Sequence, residues 1–258
     1  MAEGPAKLTT TATSMTAVAD AAKALAAASV DPMVELARAL QFGDSALPTG
    51  AFSFSHGLES ALERGVVTDP ATLKAFVRAA LEQASATDVV ALQEAYKAAL
   101  DGALDRIAAI DRFLFNRKLN EEPRAMTART GKKLVETAAR ITRAPIVKEW
   151  LALVASGKTP GAYSVSFAVV FVGVGSALPA CVVAHQYGLA AAILSAALRL
   201  MRIDHFETQR ILFELNGDIA DDFAMSSRKA LSDIASFTPV FDVLAAVHVE
   251  ARVRLFMS

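Results

Sequence analysis

Apolar positions along the chain recur at three- and four-residue spacing far more readily than at alternate residues, a pattern that predicts helices joined by short loops. Asp31 followed by Pro32 supplies an N-cap and a first-turn proline, and Met33, Leu36, Ala37 and Leu40 then fall on one helical face. The same chemistry returns at Asp69-Pro70, where Leu73, Phe76, Val77, Ala80 and Leu81 share a face and Lys74, Arg78 and Glu82 turn away. Asp204 stands three residues before Glu207, a capping-box spacing with Asp as the cap, so a helix is expected to begin near His205. Pro145, Pro160 and Pro179 mark further breaks. Tyr163 to Val174 is the one β-branched, aromatic-rich stretch, and a ββ insertion there is the alternative to a helix. Neither an internal repeat nor a Gly/Ser-rich linker divides the chain. The expectation is an all-α, single globular helical domain over residues 31–258, preceded by a flexible, Ala/Thr-rich N-terminal segment, residues 1–30.

Composition narrows the setting. Of 258 residues 53% are hydrophobic and 21% charged, enough apolar surface to offset the ordering of a folded chain. Lys and Arg number 26 against 27 Asp and Glu, so no broad basic field exists to hold nucleic acid or an anionic membrane surface. The lone cysteine, Cys181, forms no internal disulfide, which fits a reducing, cytoplasmic compartment. Mean hydropathy is +0.37, and no charge occurs between Lys158 and Arg199, so a small integral membrane protein with a helical hairpin in 161–198 is the competing reading. Length argues against it. A spanning helix needs about 20 apolar residues, whereas Tyr163 to Leu178 stops short at Pro179 and the stretch beyond carries His185, Gln186 and Tyr187. Buried core helices are the preferred reading. Met1 to Val30 has no compact apolar run of the kind a signal peptide needs.

Enzyme chemistry fails by spacing. Gly157-Lys158-Thr159 resembles the end of a phosphate loop, but Ala152 stands where its first glycine belongs and Pro160 interrupts the helix that should follow. Gly173-Val174-Gly175 lacks the third glycine of a dinucleotide fingerprint, and no Gly-x-Ser-x-Gly occurs. His56, His185, His205 and His248 are scattered, without metal-ligand spacing. A site built from Asp44, His56 and Glu59 is conceivable, but polar residues beside a turn ordinarily serve as caps and turn bonds. Arg112, Arg117, Lys118, Arg124, Arg129, Lys132 and Lys133 make the middle of the chain basic, while Asp218, Asp221, Asp222 and Asp233 make the later part acidic. These read as solvated helix faces, with docking of a charged partner as the functional alternative.

Gln41 to Glu59 reads Gln-Phe-Gly-Asp-Ser-Ala-Leu-Pro-Thr-Gly-Ala-Phe-Ser-Phe-Ser-His-Gly-Leu-Glu, a turn ahead of a helix expected over Phe52 to Glu63. Pro48 fixes the turn, Gly50 permits positive φ, and Gly57 is expected to let another backbone approach. This stretch resembles the signature of the urease accessory protein UreF family, Asp-Ser-x-Leu-Pro-x-Gly-x-Phe followed by Ser-x-Gly-Leu-Glu. Leu119-Asn120-Glu121-Glu122 with Arg124 and Gly131 is similar to that family's middle helix. Tyr187 to Leu215, with Leu198-Arg199-Leu200 and Gln209-Arg210, is similar to its late helices, and His248 through Arg254-Leu255-Phe256 to its tail. Members often carry His at the position of Phe54 and an aromatic or Gln at that of His56, so neither residue is read as a ligand.

The resemblance implies an all-α, UreF-like helical bundle that works as a homodimer in the cytoplasm, and not an enzyme. It implies bridging of UreD (UreH) and the GTPase UreG during nickel insertion into apo-urease, with nickel and GTP handled through UreG and no cofactor bound by the isolated chain. The candidate partner-binding residues it marks are Asp44, Pro48, Gly50, Glu59, Arg199, Gln209, His248, Arg254, Leu255 and Phe256, the last three as the anchors of a tail that docks on UreD. Neither nucleic acid nor membrane is an expected partner.

Overall fold

Local capping chemistry starts the helices where the sequence places it. Residues 30–44, 46–51, 54–234, 241, 243 and 244 are described by the computed structural model. Among them are eleven α-helices, one short 3-10 turn and no strand, an all-α single domain. Helix α1, Pro32–Gly43, is capped by Asp31, whose Oδ1 accepts the Met33 N–H at 2.8 Å. After the short α2, Leu58–Glu63, helix α3 spans Pro70–Ala86. Its capping box is closed: Asp69 Oδ1 accepts the Thr72 N–H at 2.8 Å and Thr72 Oγ1 accepts the Asp69 N–H at 3.0 Å. Then come α4 (Asp88–Leu100), α5 (Leu104–Arg117), α6 (Glu121–Ile141), α7 (Pro145–Ala155), α8 (Tyr163–Gly173) and α9 (Leu178–Leu200). Helix α10, His205–Asn216, starts as expected, with Asp204 Oδ1 accepting the Glu207 N–H at 2.8 Å. Helix α11, Ile219–Ser226, and the Leu231–Asp233 turn follow.

The β alternative for Tyr163 to Val174 is overturned. This run is α8, buried on every side between α4 and α6, and Ser164 through Gly173 are all inaccessible. With no strand beside it, only a helix satisfies its buried backbone groups internally, so context overrides β propensity. Contact is close enough to dictate glycine at 131: a Cβ there would meet Gly161 O, with Tyr163 N at 2.8 Å. The loop that makes this approach is pinned by the buried Asp111, which accepts hydrogen bonds from Thr159 Oγ1 at 2.5 Å and from the Gly161 and Ala162 N–H groups at 2.7 Å each.

Helix α9 ties the molecule together. Cys181, Val182 and Ala184 join one apolar cluster with Phe42, Trp150, Phe167 and Phe171, while Ile193, Leu194 and Ala197 join a second with Leu58, Leu73, Phe76 and Leu215. It is the one described helix long and apolar enough to cross a membrane, but over half of that stretch is buried inside the protein. His185 and Gln186 lie buried within it, and Gln186 Nε2 donates to Ser85 Oγ at 2.5 Å. Helix α8 has 11 residues, too short for a second span, so the hairpin reading of 161–198 is not favoured.

The structure places one predicted face and corrects another. Met33, Leu36, Ala37 and Leu40 do share a face, but it points to solvent, with Met33 82% and Leu40 65% exposed; Ala39 and Phe42 enter the core instead. Arg78 does not turn away. Its guanidinium clasps the buried Asp222 through two bonds of 2.9 Å, reaches Glu82 at 2.9 Å, and fastens α11 to α3.

Candidate functional site

The signature turn is built from its own polar atoms. Asp44 ends α1; its Oδ1 accepts the Ala46 N–H at 2.9 Å and its carbonyl accepts the Leu47 N–H at 3.1 Å. Gly50 has φ +80°, as the sequence predicts. The expected Phe52 to Glu63 helix is shorter, beginning at Leu58, because His56 (φ +53°) and Gly57 (φ +83°) both adopt the left-handed conformation just before it. Among the described residues His56 is the one non-glycine with positive φ, a strain of order 1–3 kcal/mol that concentrates at functional positions. Gly57 serves this conformation rather than a backbone approach: a Cβ there would meet only Phe76, at 4.0 Å.

That twist carries His56 to a cavity of about 350 Å³, enclosed by the turn, the ends of α3 and α5, the start of α6, and α9. Its walls are largely apolar, with Phe42, Phe54, Leu114, Met126, Tyr163 and Leu189 among them. Among the polar side chains in the lining are His56, Asp88, Lys118 and His185. Lys118, which caps the C-terminus of α5, donates to both oxygens of Asp88 at 3.2 and 3.1 Å. Ser164 Oγ donates to Asp88 Oδ1 at 3.2 Å and Thr87 Oγ1 to Oδ2 at 3.1 Å.

Electrostatics follow from this clustering. Burial alone would raise the Asp88 carboxyl, but Lys118, His185 and the hydroxyl bonds outweigh it and hold the group below the usual carboxylate range. Burial pulls His56 down to about 4, with Lys118 pushing the same way and Asp88 opposing. His185 is lowered too, first by burial. Both rings are therefore neutral at pH 7, and His185 Nδ1, itself buried, has no protein partner. Its ring lies 5.9 Å from those of Tyr163 and Phe167. Such a site offers acceptor nitrogens and a compensated carboxylate in a space large enough for several waters, each about 30 Å³. Among the described residues no three His, Cys, Asp or Glu side chains stand together closely enough to hold a metal ion.

Of the residues marked in the sequence, Asp44 and Arg199 line this cavity, and Pro48 and Gly50 sit exposed in the turn whose Leu47 and Thr49 also line it. Glu59 is buried in α2 and Gln209 is exposed on α10, both away from the lining. His248, Arg254, Leu255 and Phe256 lie outside the described residues. The basic middle segment is less a solvated face than expected. Arg112 donates to Lys158 O at 3.2 Å, Arg117 to Ile234 O at 3.2 Å, and Arg124 to Lys118 O at 2.5 Å, while Lys118 holds Asp88. Sequence reasoning passed over Asp88, Lys118 and His185 as a group; the one local signal was a histidine in the stretch without charge between Lys158 and Arg199.

The UreF family model matches residues 67–216. Proteins named urease accessory protein UreF from Yersinia pestis (strain Pestoides F) and from Yersinia pseudotuberculosis serotype I (strain IP32953) are each 48% identical over 224 residues, covering 87% of this chain and 98% of theirs. The protein of that name from Yersinia enterocolitica serotype O:8 matches to the same extent. The chain belongs to the UreF family. As a UreF-family urease accessory protein it is a chaperone rather than an enzyme, and the matched region contains Asp88, Lys118 and His185.

Proposed function

We propose that this chain bridges UreD (UreH) and the GTPase UreG and thereby takes part in nickel insertion into apo-urease. The observation that carries this reading is the match to UreF proteins over nearly their whole length. UreG would supply the nucleotide chemistry, and the chain's own task would be to hold partners and to give the cargo cation a path. The cavity supports the second role: its neutral imidazoles and compensated Asp88 suit the water shell of a divalent ion.

A homodimer is part of the proposal. Met33, Leu36 and Leu40 form an outward apolar stripe on α1, and α9, against which α1 packs, exposes Val183 and Tyr187. Apolar faces of this kind are characteristic of self-complementary interfaces. The tail anchors Arg254, Leu255 and Phe256 are assigned to UreD, an Arg beside a large aromatic being a typical hot-spot pair. The setting is cytoplasmic, in keeping with the single buried thiol. Deleting 254–258 tests the assignment: capture of UreD is expected to be lost with the melting temperature nearly unchanged, and retained capture would place the docking surface elsewhere.

A further inference from the structure

We propose that Lys118 is a displaceable counterion for Asp88, closing the cavity to monovalent cations and yielding to a hydrated divalent one. The proposal rests on reading the cavity as a cation path. Asp88 and Asp44 are the two carboxylates in the lining, and Asp44 is exposed and engaged with the turn, so Asp88 is the anion that an entering ion meets inside. Lys118 Nζ covers both of its oxygens, at 3.2 and 3.1 Å.

The other cations in the lining are committed elsewhere. Arg117 lies over the Phe113 ring at 4.4 Å and donates to Ile234 O, and Arg199 Nε donates to Ser195 O at 3.2 Å. Among the described residues, Lys118 is the cation paired with Asp88. A lysine suits an exchanging counterion better than an arginine, because its ammonium is a point charge on a flexible stem rather than a two-pronged fork. It also has somewhere to go, since the Lys118 and Asp88 side chains remain 18% and 20% exposed.

A monovalent ion offers Asp88 no more charge than Lys118 already does, whereas a divalent ion offers twice as much. Its bound waters can also donate to the neutral imidazoles of His56 and His185 that line the cavity. Lys118 is thus a specificity-determining residue that sets the threshold for entry.

The probe is Ni²⁺ alone, added to the purified full chain with labelled histidines. Binding is followed by equilibrium dialysis and by paramagnetic broadening of the His56 and His185 ring signals. Lys118→Met is expected to tighten apparent Ni²⁺ binding by about tenfold or more, the equivalent of at least one pK unit of electrostatic interaction. Lys118→Arg should not tighten it, and Asp88→Asn added to Lys118→Met should return it to the weak starting level. Should Lys118→Met fail to fold, Asp88→Asn alone gives the answer, since an uncompensated Lys118 should weaken binding and broadening below wild type. Unchanged affinity in Lys118→Met, with both rings still broadened, overturns the counterion role and leaves the path standing. If neither ring broadens in any variant, the path fails and the proposal with it.

Discussion

His56 combines a left-handed backbone with a neutral, half-buried ring, and the two properties separate by mutation. Its pKa is drawn down from 6.5 to about 4, mainly by burial. Between those values the unfolded chain binds a proton that the folded chain refuses, so stability falls as pH drops through this window, by up to about 3 kcal/mol at its lower end. His185, lowered for the same reason, adds slope of the same sign. His56→Asn keeps a residue tolerant of positive φ and removes the titration, so melts from pH 7 down to pH 4 should show a shallower decline than wild type. Parallel profiles would mean that the ring titrates freely. Gly50 makes a simpler case: nothing lies within 4 Å of a Cβ built on it, so Gly50→Val has backbone strain as its cost, about 1–3 kcal/mol by thermal melt. An unchanged melting temperature would show that the turn relaxes without penalty. Positive φ at Gly50 was legible because glycine in a Pro-containing turn announces it; His56 was not, because nothing in a Ser-His-Gly sequence announces strain.

At the scale of elements, helix starts were readable and helix environments were not. Asp31, Asp69 and Asp204 cap through atoms within three residues of themselves, so the information is local. Which face of α1 enters the core, and whether Tyr163 to Gly173 is helix or strand, depend on what packs there from far along the chain. The same holds for the candidate site, whose Asp88, Lys118 and His185 come from different helices and meet only after folding. Gly131→Ala tests the tightest of these long-range contacts. Its Cβ would collide with backbone of the 161–163 loop rather than with a movable side chain, so a loss of about 3 kcal/mol or more is expected in denaturant unfolding. A loss below about 1 kcal/mol would mean that α6 and this loop separate easily. Arg78→Ala strands the buried carboxylate of Asp222 and should cost about 3–5 kcal/mol, with α11 losing amide-exchange protection first.

For the whole molecule, two cores joined by α9 leave an apolar stripe on α1 that the described chain does not cover. Replacing Leu36 and Leu40 together with Glu should yield a monomer by light scattering without lowering thermal stability; a dimer that persists would put the interface on another face. The family was legible because its signature is local and ordered along the chain, and the 48% identity over 224 residues bears it out. The central claim is that this chain joins UreD to UreG. The most direct measurement is size-exclusion chromatography with light scattering on UreD and UreG, mixed with and without the chain. The account predicts that UreG elutes with UreD only when the chain is present, in one complex containing all three. Co-elution of UreG and UreD without it, or a chain that associates with neither, would contradict the account.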